Sequence, residues 1–69
     1  MRLSTRNQLP GTVESITTGE AMAVVKVALD GGQRVTSAIT KDAAEDLGLA
    51  PGTKVTVLVK STEVMLATD

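Results

Sequence analysis

With 69 residues, no cysteine and no aromatic residue, the chain has room for one domain whose core is built from aliphatic side chains. Its seven basic and eight acidic residues give a net charge of −1, which excludes the strongly basic surface of a typical nucleic-acid-binding protein. The lack of histidine and cysteine removes the commonest general base, the thiol nucleophile and most transition-metal ligands, so we expect no enzymatic activity.

The small aliphatic core has consequences for partners and location. A domain of this size without disulfides usually gains its missing burial from another subunit, so we expect a homo-oligomer. The apolar stretches are too short to span a bilayer, and the N-terminus lacks the apolar region of a signal peptide. We therefore expect a cytoplasmic protein that contacts no membrane.

The N-terminal part of the chain predicts an extended segment followed by a strand. Residues 2–8 are polar and irregular, and Pro10-Gly11 marks an expected break after them. Residues 12–18 are rich in β-branched side chains, which favours a strand. Val13 and Ile16 are out of phase with a simple alternation, so we expect a bulge or a strong bend there.

Two further strands and their turns follow. Gly19-Glu20 is a plausible hairpin turn, and residues 21–29 are apolar on much of both faces, which predicts a central strand. Asp30-Gly31-Gly32 is the strongest turn signal in the chain. Residues 33–40 then alternate as a third strand.

The period changes after Thr40. Thr40 is a good N-cap, residues 41–47 can form two helical turns, and Gly48 suits the position just after the helix. Pro51-Gly52 predicts another turn, and residues 53–60 alternate as a fourth strand. A short fifth strand is expected at residues 64–67.

This order of elements predicts an all-β fold with a small α content. Five strands with one short helix between strands 3 and 4 match a five-stranded OB-type barrel, which we expect to occupy residues 1–69 as a single domain. An SH3-like barrel is the main structural alternative, because strand counting from sequence is uncertain by one.

The run Ser4-Thr5-Arg6-Asn7-Gln8 concentrates hydrogen-bond donors. Donors of several kinds, with little to bury, are what a chain uses to hold an oxyanion without a metal ion. Two other segments offer donors as well: Lys60-Ser61 at the end of an apolar strand, and Thr40 at the start of the helix. Taken one at a time, the segments are better explained as a polar tail, a solvated strand end and a plain N-cap.

Together these segments match a known pattern. Residues 4–11 give Ser-x-Arg-Asn-Gln-Leu-x-Gly, residues 31–39 give Gly-Gly-x-Arg-Val-Thr-Ser-x-Ile, and residues 57–64 give Val-x-Val-Lys-Ser-Thr-x-Val. In this order and spacing the chain resembles the molybdate-binding Mop domain (molbindin), a TOBE domain of OB type. The usual Mop version has alanine where this chain has Thr5.

The resemblance implies an intracellular protein that binds molybdate or tungstate for storage and homeostasis. It implies oxyanion sites at subunit interfaces, in a homo-oligomer that is a hexamer arranged as a trimer of dimers. The metal would be bound only as its oxyanion, with no separate metal site and no catalytic cofactor. Transferred by motif, the oxyanion-binding residues are Ser4, Thr5 through its backbone, Arg6, Thr40 from a neighbouring chain, Lys60 and Ser61.

One position departs from the related pattern. Where related domains can carry a second hydroxyl three residues after the threonine, this chain has Ala43, although backbone N–H groups there could substitute. The departure keeps open an alternative, which is a structural or protein-interaction oligomer without a working anion site. A nucleic-acid-binding OB module is the weaker alternative, because such modules stack bases on aromatic rings that this chain lacks.

Overall fold

A computed structural model describes residues 2–69. Its elements are β1 (Asn7–Thr18), β2 (Met22–Leu29), β3 (Arg34–Thr40), α1 (Lys41–Asp46), β4 (Lys54–Val59) and a 3₁₀ turn (Ser61–Glu63). The strands form one antiparallel sheet in the order β3-β2-β1-β4, curled into an OB-like half-barrel. The predicted class, mostly β with one short helix between the third and fourth strands, is confirmed. No helix in residues 2–69 is long and apolar enough to cross a membrane.

The predicted fifth strand is not present. The structure has four strands in the described residues, and residues 64–67 have no regular structure. Met65 and Leu66 are 92% and 93% exposed. Their sequence favours an extended conformation, but a strand also needs a neighbour to supply ladder hydrogen bonds, and nothing in the sheet does so here. The five-stranded barrel is therefore wrong by one strand.

The first strand is longer than predicted because Pro10-Gly11 lies within it instead of ending a segment. At Pro10 the strand pairs with β4 only, since its pairing with β2 begins at Gly11, so the missing proline N–H removes no bond to β2. The carbonyl of Pro10 accepts a hydrogen bond from the Asp30 N–H at 3.0 Å. The dipeptide therefore marks the place where β1 gains its second neighbour.

The predicted bulge in β1 is confirmed. Its register with β2 shifts between Val13 and Ser15, which places an extra residue, Glu14, opposite the partner strand. Just before this shift, Val13 makes two backbone hydrogen bonds with the loop that precedes β4. The Val13 N–H donates to Thr53 O at 2.9 Å, and the Gly52 N–H donates to Val13 O at 2.8 Å. The bulge bends β1, so that its first half pairs with β4 and its second half with β2 alone.

Local chemistry fixes both ends of α1. Thr40 Oγ1 accepts the Ala43 N–H at 3.1 Å, as predicted for an N-cap. At the other end Gly48, at φ 63°, donates to Glu45 O, and Leu49 donates to Ala44 O. This pair of bonds is the Schellman pattern, which requires a residue that tolerates positive φ. It turns the chain so that Leu49 packs against the core.

The core is small and incompletely covered. Val13, Val25 and Val27 form its buried centre, with partly buried aliphatic side chains packed around them. Next to them an apolar cavity of about 230 Å³ opens to the surface. Its lining includes Leu58, which is half-exposed, and Leu47, which is 68% exposed. One chain alone thus leaves much of its apolar interior accessible to water, as expected for a domain that completes its core with a partner.

Gly11→Ala is expected to lower the free energy of unfolding by about 1–3 kcal/mol. A Cβ at this position would lie 2.8 Å from the Ala28 carbonyl oxygen and 2.8 Å from Cγ1 of Val27, so β1 and β2 would have to separate. Urea denaturation at constant m-value measures the change. Gly19→Ala is the control, since its nearest contact would be an ordinary 3.7 Å. Equal stability of the two variants would contradict the close approach.

Candidate functional site

The two donor-rich segments meet at one end of the β1–β4 ladder. The last described pair of this ladder joins Asn7 to Val59, in antiparallel register. Arg6 and Lys60 are the next residues beyond that pair, one on each chain segment. The register therefore brings the segment that ends at Arg6 next to the segment that begins at Lys60, although more than fifty residues separate them in sequence. Ser4 and Thr5 precede Arg6 in the chain, and Ser61 follows Lys60.

The carboxamides of the N-terminal run have a different role from the one that the donor count indicated. Asn7 Nδ2 donates to the Val59 carbonyl at 3.0 Å, and Gln8 Nε2 donates to the Thr5 carbonyl at 2.8 Å. Both side chains thus bond the chain's own backbone, the first across the ladder and the second within the run. Neither bond uses the Ser4 hydroxyl, the Thr5 N–H or the Arg6 guanidinium, which are the donors of this run that the motif predicts for an anion.

On the β4 side the chain turns directly after the strand. Lys60 is extended, with φ −62° and ψ 132°, and precedes the 3₁₀ turn that begins at Ser61. The Glu63 N–H donates to Lys60 O at 2.8 Å and closes this turn. Lys60 and Ser61 therefore sit at a fixed corner, with an ammonium and a hydroxyl on adjacent residues. Glu63 is the acidic residue of the same turn, and it is exposed to solvent.

Thr40 lies at the opposite end of the sheet. It pairs with Met22 at the start of β2, next to the Thr18 end of β1, whereas Arg6 precedes the Asn7 end of the same strand. Thr40 ends β3 and Lys60 directly follows β4, and these strands are the two outer strands of the sheet. Within one chain the register thus sets Arg6 near Lys60 at one end of the sheet and places Thr40 at the other end.

The capping role of Thr40 is compatible with anion binding. Its hydroxyl oxygen accepts the Ala43 N–H, which leaves the hydroxyl proton to donate to another group. The backbone groups near Ala43 are less available than the sequence suggested. The Lys41 N–H donates to Ala21 O at 2.8 Å and the Ala43 N–H is taken up by Thr40. These two N–H groups therefore do not replace the hydroxyl that Ala43 lacks.

The charges near the two ends of β1 differ in their partners. Arg34 Nε lies 2.8 Å from Glu14 Oε2, and this hydrogen bond, with the attraction between the charges, raises the pKa of Arg34. Both side chains are well exposed, so solvent weakens the pair. Arg6 and Lys60 form no ion pair with another described residue. Both cations adjoin the Asn7–Val59 end of the β1–β4 ladder.

The donor set suits an oxyanion rather than a metal cation. Arg6, Lys60 and the hydroxyls of Ser4 and Ser61 all donate hydrogen bonds, and the two cations supply positive charge. Within residues 2–69 no group of three acidic, histidine or cysteine side chains is placed to hold a metal ion. In one chain this cluster is open, since these four side chains are exposed and Thr5 is half-buried.

Comparison with known proteins agrees with this arrangement. The family model described as the TOBE domain matches residues 3–66. The chain belongs to the TOBE domain family. This TOBE domain is 46% identical, over 66 residues, to molybdenum-pterin-binding protein 3 of Clostridium pasteurianum, an alignment that covers 96% of the chain and 97% of that protein.

Solved structures extend the comparison. MopII from Clostridium pasteurianum superposes on this TOBE domain with a TM-score of 0.92 at 40% identity, covering 97% of the chain and 100% of MopII. The cytoplasmic molybdate-binding protein ModG, solved with molybdate bound, gives a TM-score of 0.90 at 46% identity, covering 94% of the chain and 46% of ModG. The resemblance to the Mop domain is confirmed. These relatives bind a molybdenum compound and are not enzymes, which confirms the prediction that this TOBE domain is not an enzyme.

Proposed function

We propose that this TOBE domain binds molybdate or tungstate as a free oxyanion, for intracellular storage and homeostasis in the cytoplasm. The observation that carries the proposal is the register of β1 with β4, which sets Arg6 beside Lys60 at one end of the sheet. Ser4, the Thr5 backbone and Ser61 flank this pair of cations. The molybdenum-binding relatives support the same ligand class.

The chemistry of the ligand matches the donor set. Molybdate is a tetrahedral dianion at neutral pH, so it accepts hydrogen bonds and donates none, and a site for it needs donors only. Hydrogen phosphate carries a proton, so it also needs a hydrogen-bond acceptor such as a carboxylate in its site. None of the proposed side chains is a carboxylate. We therefore expect molybdate and tungstate to bind more tightly than phosphate. Sulfate shares their charge, so the size of the pocket must separate it from them.

The names of the relatives include a pterin compound as well as molybdenum. A pterin is a flat heteroaromatic ring that proteins commonly hold by stacking on aromatic side chains. This chain has no phenylalanine, tyrosine or tryptophan. The free oxyanion is therefore the ligand that its side chains fit best.

The proposed site lies at an interface between chains. Arg6 and Lys60 are exposed in one chain, where solvent would screen their attraction for an anion, and Thr40 lies at the far end of the same sheet. A neighbouring chain that brings its Thr40 to Arg6 and Lys60 would complete the donor set and exclude water. We propose a hexamer arranged as a trimer of dimers, with the anions between subunits.

Two features of the surface support an oligomer. The apolar cavity beside Val25 and Val27 opens to solvent, and the exposed C-terminal segment carries Met65 and Leu66. Exposure of apolar surface to water is unfavourable in both places. Contact between the apolar side chains of the segment and the apolar cavity would remove both surfaces from water. We propose that the C-terminal segment of one chain covers the cavity of its neighbour. Covering it would fix the positions of Lys60 and Ser61, which lie directly before that segment.

Isothermal titration calorimetry with molybdate, tungstate, sulfate and phosphate, on protein whose mass is measured by light scattering, tests the proposal. We expect saturable binding of molybdate and tungstate by a hexamer, much weaker binding of sulfate, and the weakest binding of phosphate. A molybdenum pterin titrated in parallel should bind no more tightly than molybdate.

The second candidate function is an interaction module whose oligomer has no working anion site. The observation that favours it is the helix start, where Ala43 supplies no hydroxyl and its N–H is already bonded. A stable oligomer that gives no heat with any anion, with equilibrium dialysis also negative, would support this alternative and reject the storage proposal.

A further inference from the structure

We propose that Asn7 is a positioning residue that holds Arg6 and Lys60 together before the anion arrives. This inference rests on the proposed function. Asn7 is half-buried, and its Nδ2 donates to the Val59 carbonyl across a separation of 52 residues in sequence. That carbonyl belongs to the peptide group whose nitrogen is Lys60, and Asn7 itself directly follows Arg6. One side chain thus joins the two segments at the residues that adjoin the two cations.

The backbone alone holds this junction weakly. Asn7 and Val59 form the last described pair of the β1–β4 ladder, and Arg6 and Lys60 both lie outside it. Ends of ladders open more easily than their centres, because fewer bonds must break together. Arg6 and Lys60 also carry like charges, which repel each other when no anion lies between them. The Asn7 bond opposes both effects at the place where they act.

A second carboxamide shapes the same segment locally. Gln8 Nε2 donates to the Thr5 carbonyl at 2.8 Å, which closes a turn around Arg6 from within the N-terminal run. This bond is exposed and links residues only three apart, so water replaces it readily. Of the two carboxamides, Asn7 is therefore the one that connects distant parts of the site. If both segments are already ordered in the free protein, less conformational entropy is lost when the anion binds, and affinity for the anion increases.

The test compares wild type with Asn7→Leu, which keeps a similar size and removes the donor. We expect the Kd for molybdate to rise about tenfold, in line with other residues that orient ligand-binding groups. The mass of the oligomer should stay unchanged. Hydrogen exchange of the anion-free protein should become faster in residues 2–6 and 60–63 and stay the same in β2. Asn7→Ser, which cannot reach the Val59 carbonyl, gives a second measurement and replaces Asn7→Leu if that variant does not fold.

Gln33→Leu is the matched control, because Gln33 is an exposed carboxamide in the turn between β2 and β3 whose side chain makes no hydrogen bond to residues 2–6 or 60–63. It should leave the Kd and the exchange rates of residues 2–6 unchanged. A purely structural role for Asn7 would lower the melting temperature but leave the Kd at 25 °C equal to that of wild type, which would overturn the inference. If wild-type protein itself binds no molybdate, the proposed function fails, and the role of Asn7 in binding fails with it.

Discussion

Arg6→Ala and Lys60→Ala are each expected to weaken molybdate binding by about 2–5 kcal/mol while leaving the oligomer intact. The two cations roughly balance the charge of the dianion, so either substitution leaves part of that charge uncompensated at the proposed interface. Neither side chain bonds another described residue, so its loss should cost little folding stability. Calorimetry with molybdate and light scattering on the same samples measure both effects.

Two controls make the same changes elsewhere in the chain. Arg2→Ala removes an exposed arginine outside the matched pattern, and Lys54→Ala removes a lysine at the opposite end of β4 from Lys60. Both alter the net charge as the test variants do, so they report any general effect of charge on anion affinity. Wild-type affinity in Arg6→Ala or Lys60→Ala would show that the site is assigned to the wrong residues. The double variant should lose less than the sum of the single losses, because both residues act on one anion.

The parts of the fold that sequence predicted best depend on local chemistry. Thr40 caps α1 through its own side chain, and Gly48 ends the helix because a positive φ is needed there. The Asp30-Gly31-Gly32 turn likewise forms as predicted, with Gly32 at φ 103°. Each of these features is decided by two to six neighbouring residues, so the residue types are sufficient to identify it.

The errors concern features that depend on distant partners. Pro10-Gly11 has the composition of a turn, but β4 pairs with one side of this segment and Gly11 meets Val27 and Ala28 of β2 on the other. Residues 64–67 have the composition of a strand, but no strand of the same chain lies beside them. In both cases the local composition indicates the conformation that the backbone prefers, but it does not indicate which other segment will pair with it.

The candidate site also has features that local sequence predicts and features that depend on distant segments. The motif predicted donors at Ser4, Arg6, Lys60 and Ser61, and the register of β1 with β4 shows that the segments of Arg6 and Lys60 leave the sheet side by side. From sequence, the Asn7 carboxamide counts among the donors of the N-terminal run without a role of its own, because residue type alone does not separate a donor that faces a ligand from one that bonds the backbone. An asparagine can do either, and only the position of the Val59 carbonyl decides between them.

Charging the C-terminal segment is expected to have the largest effect on assembly. In Met65→Asp/Leu66→Asp, two exposed apolar side chains that would enter a neighbour's cavity become carboxylates, which are costly to bury without a partner. Burial of a methionine or leucine contributes about 1.5–3 kcal/mol, and every covered cavity would lose two such contributions, one from each side chain. Light scattering should show species smaller than the wild-type oligomer, and calorimetry should show little or no molybdate binding.

Thr68→Asp/Thr62→Asp is the control, because it adds the same charge to the same part of the chain without removing an apolar side chain. It should keep the wild-type mass. The melting temperature of Met65→Asp/Leu66→Asp should fall and become independent of protein concentration, since a single chain no longer gains stability by association. If the mass and affinity of this variant equal those of wild type, the C-terminal segment does not cover the cavity, and the anion site must be completed in another way. If the mass falls but molybdate still binds tightly, one chain is sufficient for the site, and the contribution of Thr40 from a neighbour is rejected.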